Sequence, residues 1–320
     1  MKKLQFSRSA NLLNPKVFVA RGITFSERVG KSLKRRGWGR LPIGRVIVDI
    51  LLWPSDCLKI HRKYRYVFGQ KPKLLFPRTF NEKLQHRKLF CRQSIYTVFA
   101  DKIAVRDYVK QRLGSDVLTK LYWSGTDLRK VAKESLPEKF VIKANHSSGT
   151  NLIVEERYSF DWCKAYEQTQ AWLQMDYSDK SAEWQYRWIP PTLLIEEFLQ
   201  GSDGKSPIDY KFFCFRGRVE MVDIHVNRFS NRTRAFVDRN FKILDLDQKY
   251  PRYRGELVKA SNFALMIDMA ETLASGQQFL RVDFYDIGRP IFGELTLHPH
   301  NGMVKFDPPE YDCKLGQLMS

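Results

Sequence analysis

The sequence predicts an α+β fold, because antiparallel hairpins and capped helices are mixed along its middle and C-terminal parts. Short apolar runs bounded by polar turns indicate strands, and a Thr-x-x-Glu pattern at Thr79–Glu82 indicates the start of a helix. Helices and strands do not alternate one for one, as they would around a parallel sheet. With 320 residues and a hydrophobic fraction of 43%, the chain is long enough to bury a substantial core.

Four helices are predicted from apolar periodicity and end signals. They cover Thr79–Leu89, Lys102–Leu113, Asp161–Met175 and Phe263–Ala274. The second is expected to end at Gly114 and the fourth near Gly276, because glycine favours the left-handed conformation that terminates helices. Ser261 is the expected cap of the fourth helix.

Seven strands are predicted from alternating or continuous apolar residues. They are Phe140–Ala144, Leu152–Val154, Leu193–Leu199, Tyr210–Phe215, Val219–Val226, Phe279–Tyr285 and Ile291–Leu297. Gly217 turns the fourth strand into the fifth. The last two form a hairpin that turns at Gly288-Arg289, where Pro290 must avoid a donor position of the ladder.

The positive charge is concentrated near the N-terminus. The formal net charge is +19, and residues 1–90 hold 22 Lys/Arg against 4 Asp/Glu, whereas residues 91–320 hold 32 against 31. This asymmetry indicates a polyanion or an anionic membrane surface as a partner, with a merely solvated basic face as the alternative. We expect a basic, partly helical extension at 1–75, weakly periodic and broken by prolines such as Pro42 and Pro54, then a helical part at 76–135 and a core at 136–320.

Nucleic acid is not the expected polyanion, because the basic segment has no helix-turn-helix, RNP or zinc-finger pattern. The apolar stretch Ile43–Trp53 is too short to span a bilayer and is interrupted by Arg45 and Asp49. It is either an amphipathic helix at a membrane interface or a buried core helix. Five scattered cysteines without a Cys-x-x-Cys pair, and the lack of an apolar signal segment in Met1–Ala20, favour the cytoplasm, including its membrane face.

The last predicted hairpin carries two carboxylates. Arg281, Asp283 and Tyr285 alternate onto one face of a strand, and the turn places Glu294 opposite Asp283. Two facing carboxylates repel unless a cation lies between them, and Mg²⁺ with bound phosphates prefers such oxygen ligands. A salt bridge from Arg281 to either acid would explain the same spacing.

A strand that ends near Lys143 leads into a small polar loop. The backbone N–H groups of this loop, at Ser147, Ser148, Gly149 and Thr150, could surround an anion. An ordinary hairpin turn is the alternative interpretation.

A later segment combines paired acids with a lysine. Glu196 could accept from an adenine amino group while backbone groups near Leu199 contact the ring edge. Asp209 could bind ribose or metal, and Lys211 could bind phosphate. Each acid could equally be solvated or salt-bridged.

The order of these segments resembles the TupA-like family of the ATP-grasp superfamily, over most of the chain from about Tyr64 to Gly316. The blocks that carry the resemblance include F-N-E-K-L-Q at Phe80–Gln85, D-K-x-A-V-R at Asp101–Arg106, F-V-I-K-x-N-H at Phe140–His146 and F-G-E-L-T at Phe292–Thr296. E-E-F-L at Glu196–Leu199 and D-Y-K at Asp209–Lys211 follow in the same order.

The resemblance implies an ATP-grasp fold, in which two α+β lobes hold ATP between them. The lid lobe would cover about 136–195, and the metal and catalytic lobe about 196–320. The resemblance also implies that a carboxylate is phosphorylated by ATP and that an amine then attacks the acylphosphate. ATP and Mg²⁺ are therefore the expected cofactors.

The resemblance further assigns roles by motif position. Lys102 and Lys143 would contact nucleotide and phosphate, and Ser147–Thr150 would form the lid. The adenine hinge would contain Glu196, Glu197 and Leu199. Mg²⁺ would be bound by Asp283 and Glu294, and Arg281 and Lys211 would act at the reacting centre. Thr296 stands where the wider superfamily usually has asparagine. His298 and His300 alternate onto one side and could reach the acceptor, and Arg228 is a third candidate for substrate contact.

The expected reaction joins an amino acid or amine to a carboxylate, such as a uronic acid of a lipid-linked capsule or O-antigen precursor. Two other functions stay open. One is an ATP-dependent glycan kinase, and the other is an inactive ATP-grasp scaffold that binds acidic polysaccharide machinery.

Overall fold

The computed structural model describes residues 15–201, 206–226 and 232–320. The helices in these ranges are α1 (Pro15–Arg35), α2 (Pro42–Phe68), α3 (Phe80–Phe90), α4 (Ile95–Ala100), α5 (Ala104–Leu113), α6 (Trp162–Leu173), α7 (Tyr177–Ser181), α8 (Phe263–Ala274) and α9 (Glu310–Leu318). The strands are β1 (Leu121–Gly125), β2 (Phe140–Ala144), β3 (Asn151–Val154), β4 (Leu193–Glu197), β5 (Ile208–Phe215), β6 (Arg218–Val226), β7 (Thr233–Val237), β8 (Phe279–Asp286) and β9 (Pro290–Thr296). The chain forms two compact units that divide after Lys71.

The first unit contains a hairpin of the long helices α1 and α2, which confirms the predicted helical character of the basic extension. These helices are longer and less interrupted than the prolines of the segment suggested. Pro42 is not a break, because it occupies the first turn of α2, where a missing N–H costs little. Pro54 lies inside the same helix, which ends at Gly69 with φ 74°. Gly30 of α1 permits close packing, since a Cβ at this position would lie 3.0 Å from Leu52 Cδ2. None of the described helices has both the length and the apolar composition needed to cross a bilayer.

The second unit is built on two antiparallel sheets. The smaller sheet has the strand order β1-β4-β2-β3, and the larger has the order β7-β6-β5-β8-β9. Trp172 of α6 packs against Phe140 and Ile195 of the smaller sheet. This mixture of antiparallel sheets with helices confirms the predicted α+β class.

Side-chain alternation gives the larger sheet one apolar and one charged face. Phe212 of β5 lies in the main core with Phe263 of α8, which covers the apolar face. Asp209 and Lys211 of the same strand lie on the opposite face. Farther along that face, Phe213 packs in a second apolar cluster with residues of α3 and α9. The charged face is thus bounded by apolar packing at one end.

Every predicted helix and strand is present, with ends shifted by at most two residues. Both halves of the capping box of Thr79 and Glu82 are formed, and Asp283 pairs with Glu294 as expected. Ser261 does not cap α8, because Asn262 occupies that position. The prediction missed α4, α7, α9, β1 and β7, which are short elements whose local sequence signal is weak.

Candidate functional site

Five side chains on the charged face of the larger sheet form what we call the Asp283 cluster: Asp209, Lys211, Arg281, Asp283 and Glu294. Because β8 lies between β5 and β9, Asp283 is the cross-strand partner of both Lys211 and Glu294. The Lys211 ammonium lies 2.6 Å from Asp283 Oδ2 and 2.8 Å from Asp209 Oδ2. Arg281 donates to the Asp283 carboxylate through Nε and Nη2, each at 2.7 Å. Burial raises the pKa of Asp283, and the cations of Arg281 and Lys211 oppose that shift.

The pKa values of this cluster show how strongly its charges are coupled. Burial alone would lower the pKa of Lys211, but Asp209 and Asp283 outweigh it and raise this pKa to about 12. Against the raising effect of burial, Arg281 and Lys211 lower the pKa of Glu294 to about 2. Thr296 also donates to Glu294 Oε1 at 2.8 Å. Lys211 and Glu294 therefore keep their charges throughout the physiological pH range.

The Nη2 atom of Arg281 joins two carboxylates, at 2.7 Å from Asp283 Oδ2 and 2.6 Å from Glu294 Oε1. Both carboxylates therefore converge on one cationic atom, so the donor set fits Mg²⁺. In the described parts of the chain, no group of three or more His, Cys, Asp or Glu side chains is placed to hold a metal ion. Mg²⁺ bound to Asp283 and Glu294 would take its other ligands from phosphates and water, as it commonly does. Arg281 also forms salt bridges with Asp283 and Glu294, which the sequence predicted as the alternative to a metal site.

The smaller sheet carries a second charged pair. Lys143 on β2 forms an ion pair with Glu196 on the neighbouring strand β4. The other carboxylate oxygen, Glu196 Oε2, accepts from Thr119 Oγ1 at 3.2 Å, and Arg106 Nη1 donates to that hydroxyl at 3.2 Å. A phosphate that approaches Lys143 would compete with Glu196 for its ammonium.

Lys102 connects the two charged groups. Its ammonium donates to the carbonyl oxygen of Ser147. It also interacts electrostatically with Glu294 of the Asp283 cluster and with Lys143 and Glu196 of the smaller sheet. Burial lowers the pKa of Lys102 to about 8, although Glu294 opposes the shift. The structure thus brings the hairpin carboxylates and the Lys143 pair together around one cation.

The backbone around Lys102 is fixed by Asn145. The Lys102 N–H donates to Asn145 O at 3.3 Å, and Asn145 Nδ2 donates to Asp101 Oδ1 at 3.0 Å. Asn145 Oδ1 in turn accepts from the backbone N–H of Thr192 at 2.8 Å. These bonds explain why Lys102, which follows α4, reaches the end of β2.

The loop from Ser147 to Thr150 is the hairpin turn between β2 and β3. The buried hydroxyls of Ser147 and Thr150 are hydrogen-bonded to each other. Ser148 and Gly149 are exposed at the tip, and Gly149 has φ 79°. Tyr177 forms a side-chain hydrogen bond with Ser148. The proposed lid and phosphate contacts of this loop stay predictions.

The proposed hinge residues lie at the end of β4. Glu197 Oε2 accepts from the Lys120 N–H at 3.2 Å, and the Glu197 N–H donates to Lys120 O at 2.9 Å. Leu199 follows the strand in the connection to β5. Asp209, proposed for ribose or metal, is fully buried beside Lys211, which makes it a counter-ion of that lysine. The adenine contacts of Glu196, Glu197 and Leu199 stay predictions.

His298 and His300 do not lie on one side, contrary to the prediction. The strand β9 ends at Thr296, and the chain then turns through Pro299–Gly302, so strand alternation does not extend to the histidines. His298 is buried, with Nδ1 3.2 Å from Glu183 Oε1, and burial lowers its pKa to about 3. It is therefore a neutral, inward-facing residue.

The remaining two substrate candidates differ in what the structure describes. His300 has φ 49° and is partly exposed, with electrostatic contacts to Arg281 and Arg234. Arg228 lies outside the described residues.

Helix α3 holds the turn that contains His300. Gln85 Nε2 donates to Asn301 O at 2.9 Å and to Gly302 O at 2.7 Å, and Lys88 Nζ donates to Asn301 O at 2.7 Å. His300, Asn301 and Gly302 all have positive φ, a conformation that needs support from its surroundings. Gln85, the last residue of the F-N-E-K-L-Q block, therefore helps to hold the turn after β9 in place.

Sequence reasoning missed two groups of side chains near the site. Tyr177 and Tyr186, after α6, interact electrostatically with Glu294, and burial raises the pKa of each phenol. Asp223 and His225 on β6 share the charged face, because they pair with Lys211 and Asp209 respectively. Only the Asp-x-His alternation of β6 could have been found from sequence, since the tyrosines reach the site through long-range packing.

Residues 82–320 of the chain match the family model described as TupA-like ATPgrasp. Similar solved structures include D-alanine–D-alanine ligase from Bacillus anthracis complexed with ATP, at 12% identity and a TM-score of 0.37, over 62% of this chain and 54% of that one. They also include the ATP-grasp ligase PsnB complexed with a minimal precursor, at 10% identity and a TM-score of 0.35, over 63% and 54%. A third is N5-carboxyaminoimidazole synthase from Aspergillus clavatus, at 13% identity and a TM-score of 0.39, over 66% and 46%.

The chain thus spans about half the length of these solved chains. No curated protein matches it significantly. The family model, in contrast, covers most of the second unit, including Lys102, Lys143, Asp283 and Glu294. This chain belongs to the TupA-like ATP-grasp family.

Proposed function

We propose that the protein is an ATP-dependent carboxylate–amine ligase. The observation that carries the proposal is that buried Lys102 interacts electrostatically both with Glu294 of the Asp283 cluster and with the Lys143–Glu196 pair, while its ammonium donates to Ser147 O. A triphosphate needs several cations on one side and hard oxygen ligands for Mg²⁺ on the other. Lys102 and Lys143 would bind phosphate oxygens, and Asp283 and Glu294 would hold Mg²⁺, which would offset phosphate charge.

The proposed reaction has two balanced steps. A carboxylate oxygen of the acceptor attacks the γ-phosphorus of ATP, and ADP leaves. An amine nitrogen then attacks the acyl carbon, phosphate leaves, and the nitrogen loses a proton to give the amide. Arg281 and Lys211 have fixed positions beside Asp283, where they can stabilise charge on the transferring phosphoryl group without reorganisation.

The acceptor that we propose is an acidic glycan, such as a uronic acid of a lipid-linked capsule or O-antigen precursor, and the amine donor is an amino acid or another amine. The excess of 22 Lys/Arg over 4 Asp/Glu in residues 1–90 supports an anionic partner. Neighbouring carboxylates on such a glycan would be attracted to that segment.

The test incubates the full chain with Mg²⁺, ATP, a uronic-acid glycan and a mixture of amino acids. A ligase gives ADP and free phosphate, and the glycan gains the mass of the amine minus one water. A glycan kinase would leave the phosphate on the glycan, and an inactive scaffold would release no ADP. Either result would replace the proposal. Mass spectrometry of the native surface glycan, with and without the protein, would then identify the product.

A further inference from the structure

A second charged group lies on the same face as the Asp283 cluster, one strand farther from the metal hairpin. Arg234 Nε donates to Asp223 Oδ1 at 2.9 Å, and Arg234 also contacts Asp223 Oδ2 through Nη2. Both residues are almost fully buried. The charge of Asp223 is therefore neutralised by Arg234 in a paired arrangement.

The same carboxylate fixes the tautomer of His225. His225 Nε2 lies 2.8 Å from Asp223 Oδ2, and an ionised carboxylate can only accept, so Nε2 carries the proton. The other ring nitrogen, Nδ1, is then a lone-pair acceptor. It accepts from Arg232 Nε at 3.0 Å. Burial lowers the pKa of His225, which agrees with a neutral ring between two arginines.

Arg232 is consequently held by neutral partners. Besides His225, its guanidinium donates through Nη1 to the Tyr250 hydroxyl at 3.2 Å, and it lies 4.3 Å from the centre of the Tyr250 ring. Among the described residues, no carboxylate forms an ion pair with it. The exposed Lys249 lies 5.0 Å from the same ring. Two cations are thus held around one phenol, and in the described parts of the chain neither forms an ion pair with a carboxylate, an arrangement that favours binding of an oxyanion.

The position of this group relates it to the reacting centre. Asp209 pairs with His225, and Lys211 pairs with Asp223, so the two charged groups occupy adjacent strands. Arg232 comes just before β7, two to three strand spacings from Asp283, or roughly 10–15 Å. An anion bound to Arg232 is therefore a different group from the carboxylate that is activated at Arg281 and Asp283.

We propose that Arg232, positioned by His225 and Tyr250 and assisted by Lys249, binds a second anionic group of the acceptor, a phosphate or another carboxylate. This inference rests on the proposed function, because it names a feature of the acceptor for the same reaction. It restricts the acceptor to molecules with two anionic groups roughly 10–15 Å apart.

The test measures binding of inorganic phosphate and of malonate to the full chain by calorimetry, with Mg²⁺ and a non-hydrolysable ATP analogue occupying the nucleotide site. Arg232→Gln should weaken binding of the preferred anion at least tenfold. Arg232→Lys keeps the charge but loses the two-point hold, so its affinity should lie between wild type and Arg232→Gln. Arg218→Gln, at an exposed arginine elsewhere on β6, is the matched control and should change nothing.

The outcomes separate the two proposals. Phosphate binding that depends on Arg232 indicates a sugar phosphate, and malonate binding that depends on it indicates a polycarboxylate. Equal affinities of wild type and Arg232→Gln for both anions would overturn the subsite, even if amide is formed. If no ADP forms with any acceptor while anion binding still depends on Arg232, the ligase proposal fails and the subsite stands.

A separate observation in the first unit carries a second inference. Four apolar residues of α2, Ile43, Val46, Ile50 and Trp53, follow one another at helical spacing on a single side and are 69%, 55%, 66% and 38% exposed. The opposite side of the same helix segment, including Val48 and Leu52, is buried. The exposed row is therefore an apolar surface that the hairpin itself does not cover.

Positive charge surrounds one end of this row. Arg35, Arg36 and Arg40 are exposed between the end of α1 and the start of α2. Trp38 and Leu41, in the same connection, are 45% and 63% exposed. Exposed aliphatic and tryptophan side chains edged by arginines are typical of surfaces that lie in the headgroup region of an anionic bilayer.

We infer that this α2 row and the arginine-rich connection dock the protein on an anionic lipid surface. The experiment is flotation of the full chain with vesicles that contain phosphatidylglycerol and phosphatidylcholine. Ile50→Asp should reduce the bound fraction at least fivefold, and 0.5 M salt should reduce wild-type binding, because the attraction between charges is screened. Leu265→Asp, at a 46% exposed leucine of α8, is the matched control.

Two results would overturn the membrane inference. One is unchanged binding of Ile50→Asp to the vesicles. The other is a wild-type dimer in light scattering that Ile50→Asp converts to monomer, because the row would then be covered by a second copy of the chain.

Discussion

The lowered pKa of Lys102, about 8, predicts a pH dependence of ATP affinity that few other residues of the site could cause. Only the protonated ammonium attracts phosphate. About nine-tenths of the lysine is protonated at pH 7 and about one-tenth at pH 9, and apparent affinity scales with the competent fraction. The dissociation constant for ATP should therefore rise about eight- to tenfold between pH 7 and pH 9.

Other charged groups of the site contribute little in this range. The pKa of Lys211 is about 12 and that of Glu294 about 2, so neither changes charge between pH 7 and pH 9. Unfolding is not the cause either. The pKa of Lys102 is lower in the folded state than in the unfolded state. Between about pH 8 and pH 10 the unfolded state therefore binds more protons at this residue. The contribution of Lys102 to the free energy of unfolding consequently increases as the pH rises.

Calorimetric titration of ATP in the presence of Mg²⁺ measures this effect, and two variants isolate it. Lys102→Arg keeps its charge through pH 9, so its dissociation constant for ATP should not rise between pH 7 and pH 9. Lys102→Gln should bind ATP more weakly than wild type at pH 7, and its dissociation constant should likewise not change with pH. The titration of ATP itself is shared by all three proteins. The reasoning fails if wild type changes less than twofold, or if Lys102→Gln keeps the wild-type pH profile.

Three further predictions concern the hairpin, the loop and the buried histidine. Asp283→Asn and Glu294→Gln should each lower ADP release at least about a hundredfold, since each would remove a ligand of the proposed metal site. Near-normal release with saturating Mg²⁺ would show that the hairpin is not the metal site. Gly149→Pro should reduce amide formation more than ATP affinity, because proline cannot adopt φ 79° and the loop could not close. ADP release without amide is the expected signature, and full coupling at the wild-type rate would remove the lid role. His298→Ala should lower the free energy of unfolding by about 1–3 kcal/mol in urea titrations, because a buried carboxylate loses its partner. An unchanged midpoint would show that this contact contributes nothing.

The sequence predicted best where local rules determine the geometry. Alternation along one strand and a turn at Gly288 were sufficient to place Glu294 opposite Asp283. The same rule failed at His298, four residues after Glu294, because β9 ends at Thr296 and the chain then turns through Pro299–Gly302. Alternation thus predicts the direction of side chains only within the strand itself.

In the N-terminal extension the helical character was predicted, but the length of the helices was not. Proline was interpreted as a break, although Pro42 is the first residue of a long helix. The group around Arg232 was missed because Tyr250 and the Asp223–His225 pair meet Arg232 only in the folded chain. No window of the sequence contains that arrangement.

The contacts of α3 with the turn after β9 have a consequence for mutants and fragments of this protein. Gln85 and Lys88 lie more than 200 residues before Asn301 and are buried against it. The turn after β9, which contains His300, is therefore held in place by a helix from the start of the second unit. A screen for inactive mutants should recover changes in α3 that touch neither nucleotide nor acceptor. A fragment that begins after α3 should keep the strands of the hairpin but lose the position of His300.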